Sequence, residues 1–349
     1  MRSSIPMAIF GGIAAIAAWS CLAAAGSSPI TIDEAAACLG LSAQQLADVR
    51  VGKIVSTDFQ ELSDKELAIT VAMLVKRPIT DVAEAVRGSG LLESDPNIMS
   101  FKALGDGDVS DTDFSGVAFT KDEASEVRGL LTAKPGSEFN LSRDEIARFD
   151  ALRKRFTGSC DAACAEAVTE AYRRTLADRL RAYKTGGTGA IAPYARSGEK
   201  LVRAGDELRA AAVGCPLVHE RFPDVIRAFV DFPDHPTAGI TSRFFWAKLH
   251  VQDRPAFVLM HRLLYERPDA FLGMERQFYV GHSYNCLLIM SGCLGIGGQT
   301  LVFYINRTST DQVVGFPRDT RHSLGRRHMR AEIIASLEKI RAKYERRAP

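Results

Sequence analysis

The sequence predicts an α+β protein in which an antiparallel sheet grips a C-terminal helix and carries a large all-helical insertion. Three observations predict it. Five apolar, β-branched and aromatic runs, residues 244–251, 256–265, 271–281, 284–294 and 300–308, follow one another, each bounded by Pro, Gly or Asp. No strand pattern comes after them, only a basic amphipathic run at 326–344. The stretch 117–232, in contrast, is patterned almost wholly for helices. On this reading the chain divides into a signal peptide (1–25), a first part of the sheet domain with N-terminal helices (26–104), the helical insertion (105–240), and the strands and helix that complete the sheet domain (241–349).

Residues 5–18 are an apolar run behind Arg2, and Leu22, Ala23, Ala24 and Ala25 supply the small residues that a signal peptidase reads. The run is shorter than the roughly 20 residues a spanning helix needs, so cleavage and a periplasmic or secreted mature chain are expected. With Cys21 set aside, Cys38, Cys160, Cys164, Cys215, Cys286 and Cys293 remain. An even set in an oxidising compartment predicts disulfides, with the pairing left open. Cys286 and Cys293 are an odd number of residues apart, so one strand would point them to opposite faces. Cys160 and Cys164 lie one helical turn apart without nearby His, which makes a poor metal signature.

Short helices are expected at 31–40 and 42–49, then strands at 52–57 and 67–75, the second rich in Val, Ile and Thr. Pro78 opens a helix over 79–87, where proline's missing N–H costs nothing, and Ile79, Val82, Ala83 and Val86 share one face. A strand returns at 98–104. The acidic loop that follows, with Asp111, Asp113, Gly116 and Asp122, partly imitates a calcium loop. No entering helix precedes it, and Thr120 with Glu123 is better explained as a capping box for a helix over 121–131. Ser142 and Glu145 form a second box, opening a helix to about residue 156. A long helix over 160–183 carries Val168, Tyr172, Leu176, Leu180 and Tyr183 on one stripe, and further helices are expected at 199–213 and 223–232.

A formal net charge of +2 says little by itself, but its distribution is uneven, with an acid-rich stretch at 81–126 and a basic one at 318–347. A basic C-terminal helix reads as a solvated face with favourable dipole placement. It leaves room for peripheral membrane contact and gives no sign of a nucleic-acid partner.

The order strand, Pro-led helix, strand, then a long antiparallel run and a terminal helix resembles the helix-grip fold of the START and Bet v 1 superfamily. The residues that carry this are Val75-Lys76-Arg77-Pro78-Ile79-Thr80-Asp81-Val82 and the final strand–helix pair. The resemblance implies a cavity between sheet and C-terminal helix that takes a lipid or other apolar small molecule. Glu138-Phe139-Asn140-Leu141-Ser142, Phe244-Phe245-Trp246-Ala247-Lys248 and Tyr304-Ile305-Asn306-Arg307-Thr308-Ser309-Thr310-Asp311 are similar to segments of a group of exported bacterial proteins. That likeness implies that the mature chain is one unit and carries over no catalytic residue.

Arg267-Pro268-Asp269-Ala270 suits a type I turn. The register it sets places Leu259 opposite Phe278, Phe257 opposite Val280 and His261 opposite Arg276, all on one face. A turn over Gly295–Gly298 would set Cys286 opposite Arg307 and His282 opposite Asp311. An apolar face holding a few polar groups is the pattern of a small-molecule pocket, and the ligand-binding candidates are His261, Arg276, His282, Tyr284 and Arg307. Non-catalytic binding of an apolar molecule is the first expectation, and no cofactor or metal is implied. Gly281 could host a bulge, which would turn every later residue over. Two alternatives remain. Gly281-His282-Ser283-Tyr284-Asn285 is one residue short of a nucleophile elbow, with Asp311 and His322 following in the order used by serine hydrolases. An envelope structural or interaction role for the helical third is the other.

Overall fold

The computed structural model describes residues 29–87, 97–158, 160–315 and 318–345. The expected signal peptide lies outside the described residues. Among the described residues no helix is long and apolar enough to cross a membrane.

An eight-stranded, wholly antiparallel sheet organises the molecule. Its members in chain order are β1 (Val55–Asp58), β2 (Glu66–Val75), β3 (Ile98–Leu104), β6 (Ile240–Val251), β7 (Arg254–Arg267), β8 (Ala270–Val280), β9 (Cys286–Ile296) and β10 (Gln299–Ser309). Their spatial order is β1-β2-β10-β9-β8-β7-β6-β3. Strands β6 to β10 are a meander of hairpins, so each pairs with its sequence neighbour. The early strands close both ends of the sheet: β2 adds to β10 and β3 adds to β6.

Helices cover both faces. The larger layer holds α1 (Ile32–Cys38), α2 (Ala43–Arg50), α4 (Ala124–Leu131), α5 (Arg143–Arg155), α6 (Ala162–Gly186), α7 (Ala204–Val213), α8 (Pro216–Arg221) and α9 (Pro223–Val230). Its axis is α6, whose expected stripe of Val168, Tyr172, Leu176, Leu180 and Tyr183 is entirely buried. Each such side chain contributes about 1.5–3 kcal/mol when taken fully from water. The stripe packs in one cluster with Phe257, Leu259, Leu272, Phe278 and Phe303 of the sheet. The opposite face carries α3 (Ile79–Arg87) and α10 (Arg318–Glu345), where Ile333 and Leu337 pack with Ile69, Val71, Met73 and Val75. Because both faces are covered, β8 is buried at every residue and β2 at nearly every one.

The stretch expected to be all helical also contains a small ladder, β4 (Tyr194–Ala195) with β5 (Leu201–Val202), in place of the first turn of the helix expected from residue 199. Capping boxes open α1, α2 and α5, and each joins a side-chain acceptor to an otherwise unpaired N–H. The box at Thr120 and Glu123 opens a short 3-10 turn, Lys121–Glu123, which leads into α4.

Two register expectations are corrected. His261 does pair with Arg276, but Leu259 pairs with Tyr279 and Val258 with Val280, because a bulge at Phe278 adds one residue to β8. The irregularity anticipated at Gly281 therefore occurs earlier. The β9–β10 turn is Gly297-Gly298, both with positive φ, so Cys286 pairs with Ser309 and Arg307 with Leu288. Two glycines with φ of +55° and +78° suit the primed two-residue turn that matches strand twist. The shift of two positions keeps Arg307 and Cys286 on one face.

Cys160 and Cys164 form a disulfide at the start of α6. Cys38, Cys215, Cys286 and Cys293 are buried thiols. Cys286 packs toward the larger helical layer and Cys293 toward α3 and α10, on opposite faces as their spacing requires.

Candidate functional site

The face that carries His261, Arg276 and Arg307 looks into the larger helical layer, away from α10. This corrects their expected placement against the C-terminal helix. The cause is that central strands with two apolar faces offer no polar side to reveal which helices cover which.

His261 and Arg276 meet there around Tyr183 of α6. His261 is fully buried, with Nδ1 2.7 Å from the Tyr183 hydroxyl and Nε2 2.7 Å from the Ser242 hydroxyl. Phe244 stacks on the imidazole and Phe232 lies against it. Burial, followed by the charges of Arg276 and Lys184, holds His261 well below its ordinary pKa, so the ring is neutral. Arg276 is 1% exposed. Its guanidinium sits 3.7 Å from the Phe229 ring centroid and 5.6 Å from that of Tyr183, and donates to the Phe229 carbonyl. Its Nε has no acceptor, and no carboxylate pairs with it among the described residues. Burial pushes its pKa down.

Arg307 shows what a compensated buried arginine looks like in the same protein. Its Nε and Nη2 each lie 2.9 Å from a Glu66 carboxylate oxygen, Nη2 also donates to the Gln60 carbonyl, and Nη1 donates to the Gly214 carbonyl. Each of its three nitrogens has an acceptor and the charge has a carboxylate, so Arg307 is committed to the fold.

Near the His261–Arg276 cluster, the turn after α6 and the end of α9 line an open cleft of about 490 Å³. Its walls include Thr188, Arg209, Asp231, Phe232 and His235. Phe232 belongs both to this wall and to the ring cluster around His261. Gly187 shapes the wall: with φ +56° and the Phe232 carbonyl 1.9 Å from where a Cβ would stand, no larger residue fits.

His282 and Ser283 lie in the β8–β9 loop, residues 281–285. Several bonds fix this loop. Asn140 Nδ2 donates to the Val280 and Tyr284 carbonyls at 2.9 and 2.7 Å, and Asn140 N–H donates to the Gly281 carbonyl. Arg196 donates to both Asn140 and Asn285, and Thr310 Oγ1 donates to the Ser283 carbonyl. Ser283 is held at φ +73°, a costly conformation for a residue with a side chain. Its Oγ lies 2.6 Å from His282 Nδ1, and His282 Nε2 lies 3.1 Å from the Pro255 carbonyl. A carbonyl can only accept, so Nε2 carries the proton and Nδ1 of the neutral ring accepts from Ser283. Burial and then Arg254 hold His282 below its ordinary pKa.

The other expected partners of Ser283 are elsewhere engaged. His322 bonds Glu61 and the Asp64 carbonyl, and Asp311 is paired with Arg196 and Lys65. Burial opposes ionisation of Asp311, but those two cations hold its carboxyl below the ordinary range. The pairing of His282 with Asp311 is replaced by the shifted register. Tyr284 turns to the opposite face from Arg276, where its hydroxyl donates to Gln277 Oε1 at 2.5 Å. Among the described residues no group of His, Cys, Asp and Glu could hold a metal ion, the acidic loop at 111–122 included.

Sequence reading missed Ser242, Phe229, Asn140, Arg196 and Glu66. Tyr183 was on the predicted helix stripe, and only its hydroxyl's partner was hidden. The others reach their partners across long sequence separations, and no local pattern encodes that. No family model, curated protein or solved structure matches the chain.

Proposed function

We propose that this protein binds an amphipathic small molecule with an acidic head, lipid-like in its apolar part, on the sheet face covered by α6 and α9. The observation that carries the reading is Arg276. A fully buried guanidinium with an unbonded Nε and no carboxylate partner among the described residues is a costly group to keep. Arg307, which has Glu66, shows that the fold can supply a counter-ion where one is structural. An anionic head at Arg276 would supply the missing charge and acceptor through charge-assisted hydrogen bonds. Phe229, Tyr183, Phe232, Phe244 and Phe278 pack with the guanidinium and with one another, and Phe232 also lines the neighbouring cleft of about 490 Å³, a volume within the usual range of small-molecule sites. An acidic head would reach Arg276 from that cleft by displacing Phe232, which belongs to both the cleft wall and the ring cluster. The likeness to helix-grip proteins is then one of a sheet with a terminal helix, with the ligand on the other face.

An exported location is part of the proposal. The apolar run at 5–18 and the Cys160–Cys164 disulfide support it, since disulfides persist in oxidising compartments.

Titration calorimetry of the mature protein with dodecyl phosphate, dodecanoate and dodecanol tests the reading. The two anions should bind at least tenfold more tightly than the alcohol, and Arg276→Met should remove that preference. Equal binding of acid and alcohol, or no binding of either anion, would overturn it.

A further inference from the structure

The β8–β9 loop carries a second, independent feature. We infer that Ser283 and His282 form a nucleophile–base pair that cleaves small esters, with the Pro255 carbonyl as the group that orients the base. Neither Asp311 nor His322 takes part, since each is held by other partners.

Four observations converge on the pair. Ser283 Oγ is 2.6 Å from His282 Nδ1, within the reach a general base needs. The 3.1 Å contact of Nε2 with the Pro255 carbonyl fixes the tautomer that leaves Nδ1 free to accept. The imidazole is buried while the serine is only half-buried, so the nucleophile is the accessible member. Ser283 is kept at φ +73° by bonds from Asn140, Thr310 and Arg196 that converge on its loop. The pair meets the requirement of an activated nucleophile with an oriented base. Gly281 completes the local packing, because a Cβ there would stand 2.9 Å from the Tyr172 hydroxyl.

The chemistry balances with an ester and water. Ser283 Oγ attacks the acyl carbon, and its proton passes to His282 Nδ1 as the new C–O bond forms. Collapse of the tetrahedral intermediate breaks the bond to the leaving alkoxide, which takes that proton and departs as an alcohol. Water then adds to the acyl-serine and gives a proton to Nδ1. The second collapse releases a carboxylic acid and returns the proton to Ser283. The backbone N–H of Ser283, which has no acceptor among the described residues, is available to the developing oxyanion. Arg254, gripped by Glu126 at 2.8 and 2.9 Å, places positive charge near the same imidazole.

The experiment is labelling of the intact mature protein with a fluorophosphonate probe, peptide mapping of the adduct, and turnover of p-nitrophenyl acetate. A single adduct on Ser283 is expected. Ser283→Gly, which suits the positive φ and removes the hydroxymethyl group, should abolish it while circular dichroism stays unchanged. His282→Gln should slow labelling at least tenfold, and the wild-type rate should rise with pH through an ionisation below the ordinary histidine value. Absence of an adduct on Ser283 in folded protein, or equal labelling of the His282→Gln variant, would overturn the inference. Failure here leaves the Arg276 reading untouched, because the two sites share neither residues nor probe.

Discussion

At the scale of single residues, the two buried arginines of the sheet give opposite expectations. Arg307 and Glu66 neutralise each other, so Arg307→Met would strand a buried carboxylate and cost about 3–5 kcal/mol. Arg276 has no such partner among the described residues, so Arg276→Met in ligand-free protein should be neutral or stabilising, by up to roughly 1–4 kcal/mol. Urea unfolding with unchanged slope measures both, and a loss at Arg276 as large as that at Arg307 would mean that the guanidinium is structural. The histidines add a pH dependence. His261 and His282 both have folded pKa values below the ordinary one of about 6.5, so the unfolded chain takes up protons first. Their contribution to stability is complete above that value. It declines as the pH falls from there toward the depressed folded values, by at most about 1.4 kcal/mol per pH unit for each ring. His261→Gln should flatten part of that decline in a series of unfolding curves between pH 7 and 5, and an unchanged slope would count against a neutral buried imidazole.

At the scale of elements, the outcome depends on how much of each pattern is local. Strands β6 to β10 were legible to within a few residues because apolar and β-branched runs end at Pro, Gly or Asp, and the α6 stripe was legible because helical period places five residues on one line. The bulge at Phe278 was not, since nothing in Arg276-Gln277-Phe278-Tyr279 marks the extra residue. Cys-Leu-Gly-Ile-Gly-Gly offers several places to turn, and only pairing along the whole of β9 and β10 selects Gly297-Gly298. The candidate site followed the same division: His261 opposite Arg276 came from a local turn, whereas Phe229, Ser242 and the uncovered charge of Arg276 came from tertiary packing. The turn after α6 tests this dependence on packing. Gly187→Ala would force a methyl group into the Phe232 carbonyl at a strained φ, so a loss of about 1–3 kcal/mol or more is expected, with displacement of the cleft wall. A thermal midpoint equal to that of the unsubstituted protein would show that the α6–α9 contact is looser than its geometry implies.

At the scale of the whole molecule, chain topology argues against separable sheet and helical parts. The chain lays β1 and β2 at one end of the sheet and β3 at the other before any of the strands between them exists, so the sheet is complete only when β6 to β10 fill the gap. The helical layer meanwhile shares its core with that sheet: Val168, Tyr172 and Leu176 stand in one cluster with Leu259, Phe278 and Phe303. Removing the helical layer would leave the sheet only the smaller cluster under α3 and α10 and expose its larger apolar face, and such dependence favours all-or-none unfolding. Trp246 provides a probe of the joint. It lies on β6, its Nε1 donates to the Asp113 carbonyl at 2.9 Å, and the other tryptophan, Trp19, falls within the segment read as a cleaved leader. Fluorescence of a chain beginning at residue 26 therefore reports the sheet's contact with the 105–240 stretch alone. Its urea transition should coincide with that of far-ultraviolet circular dichroism, which reports all helices and strands together. By the same reasoning α10, with only Ile333 and Leu337 among its described side chains buried as apolar anchors, should exchange its amide hydrogens faster than α6. A fluorescence transition well separated from the dichroism transition would show two units instead of one, and would confine the coupling between the sheet and its larger helical layer to folding steps after each has formed.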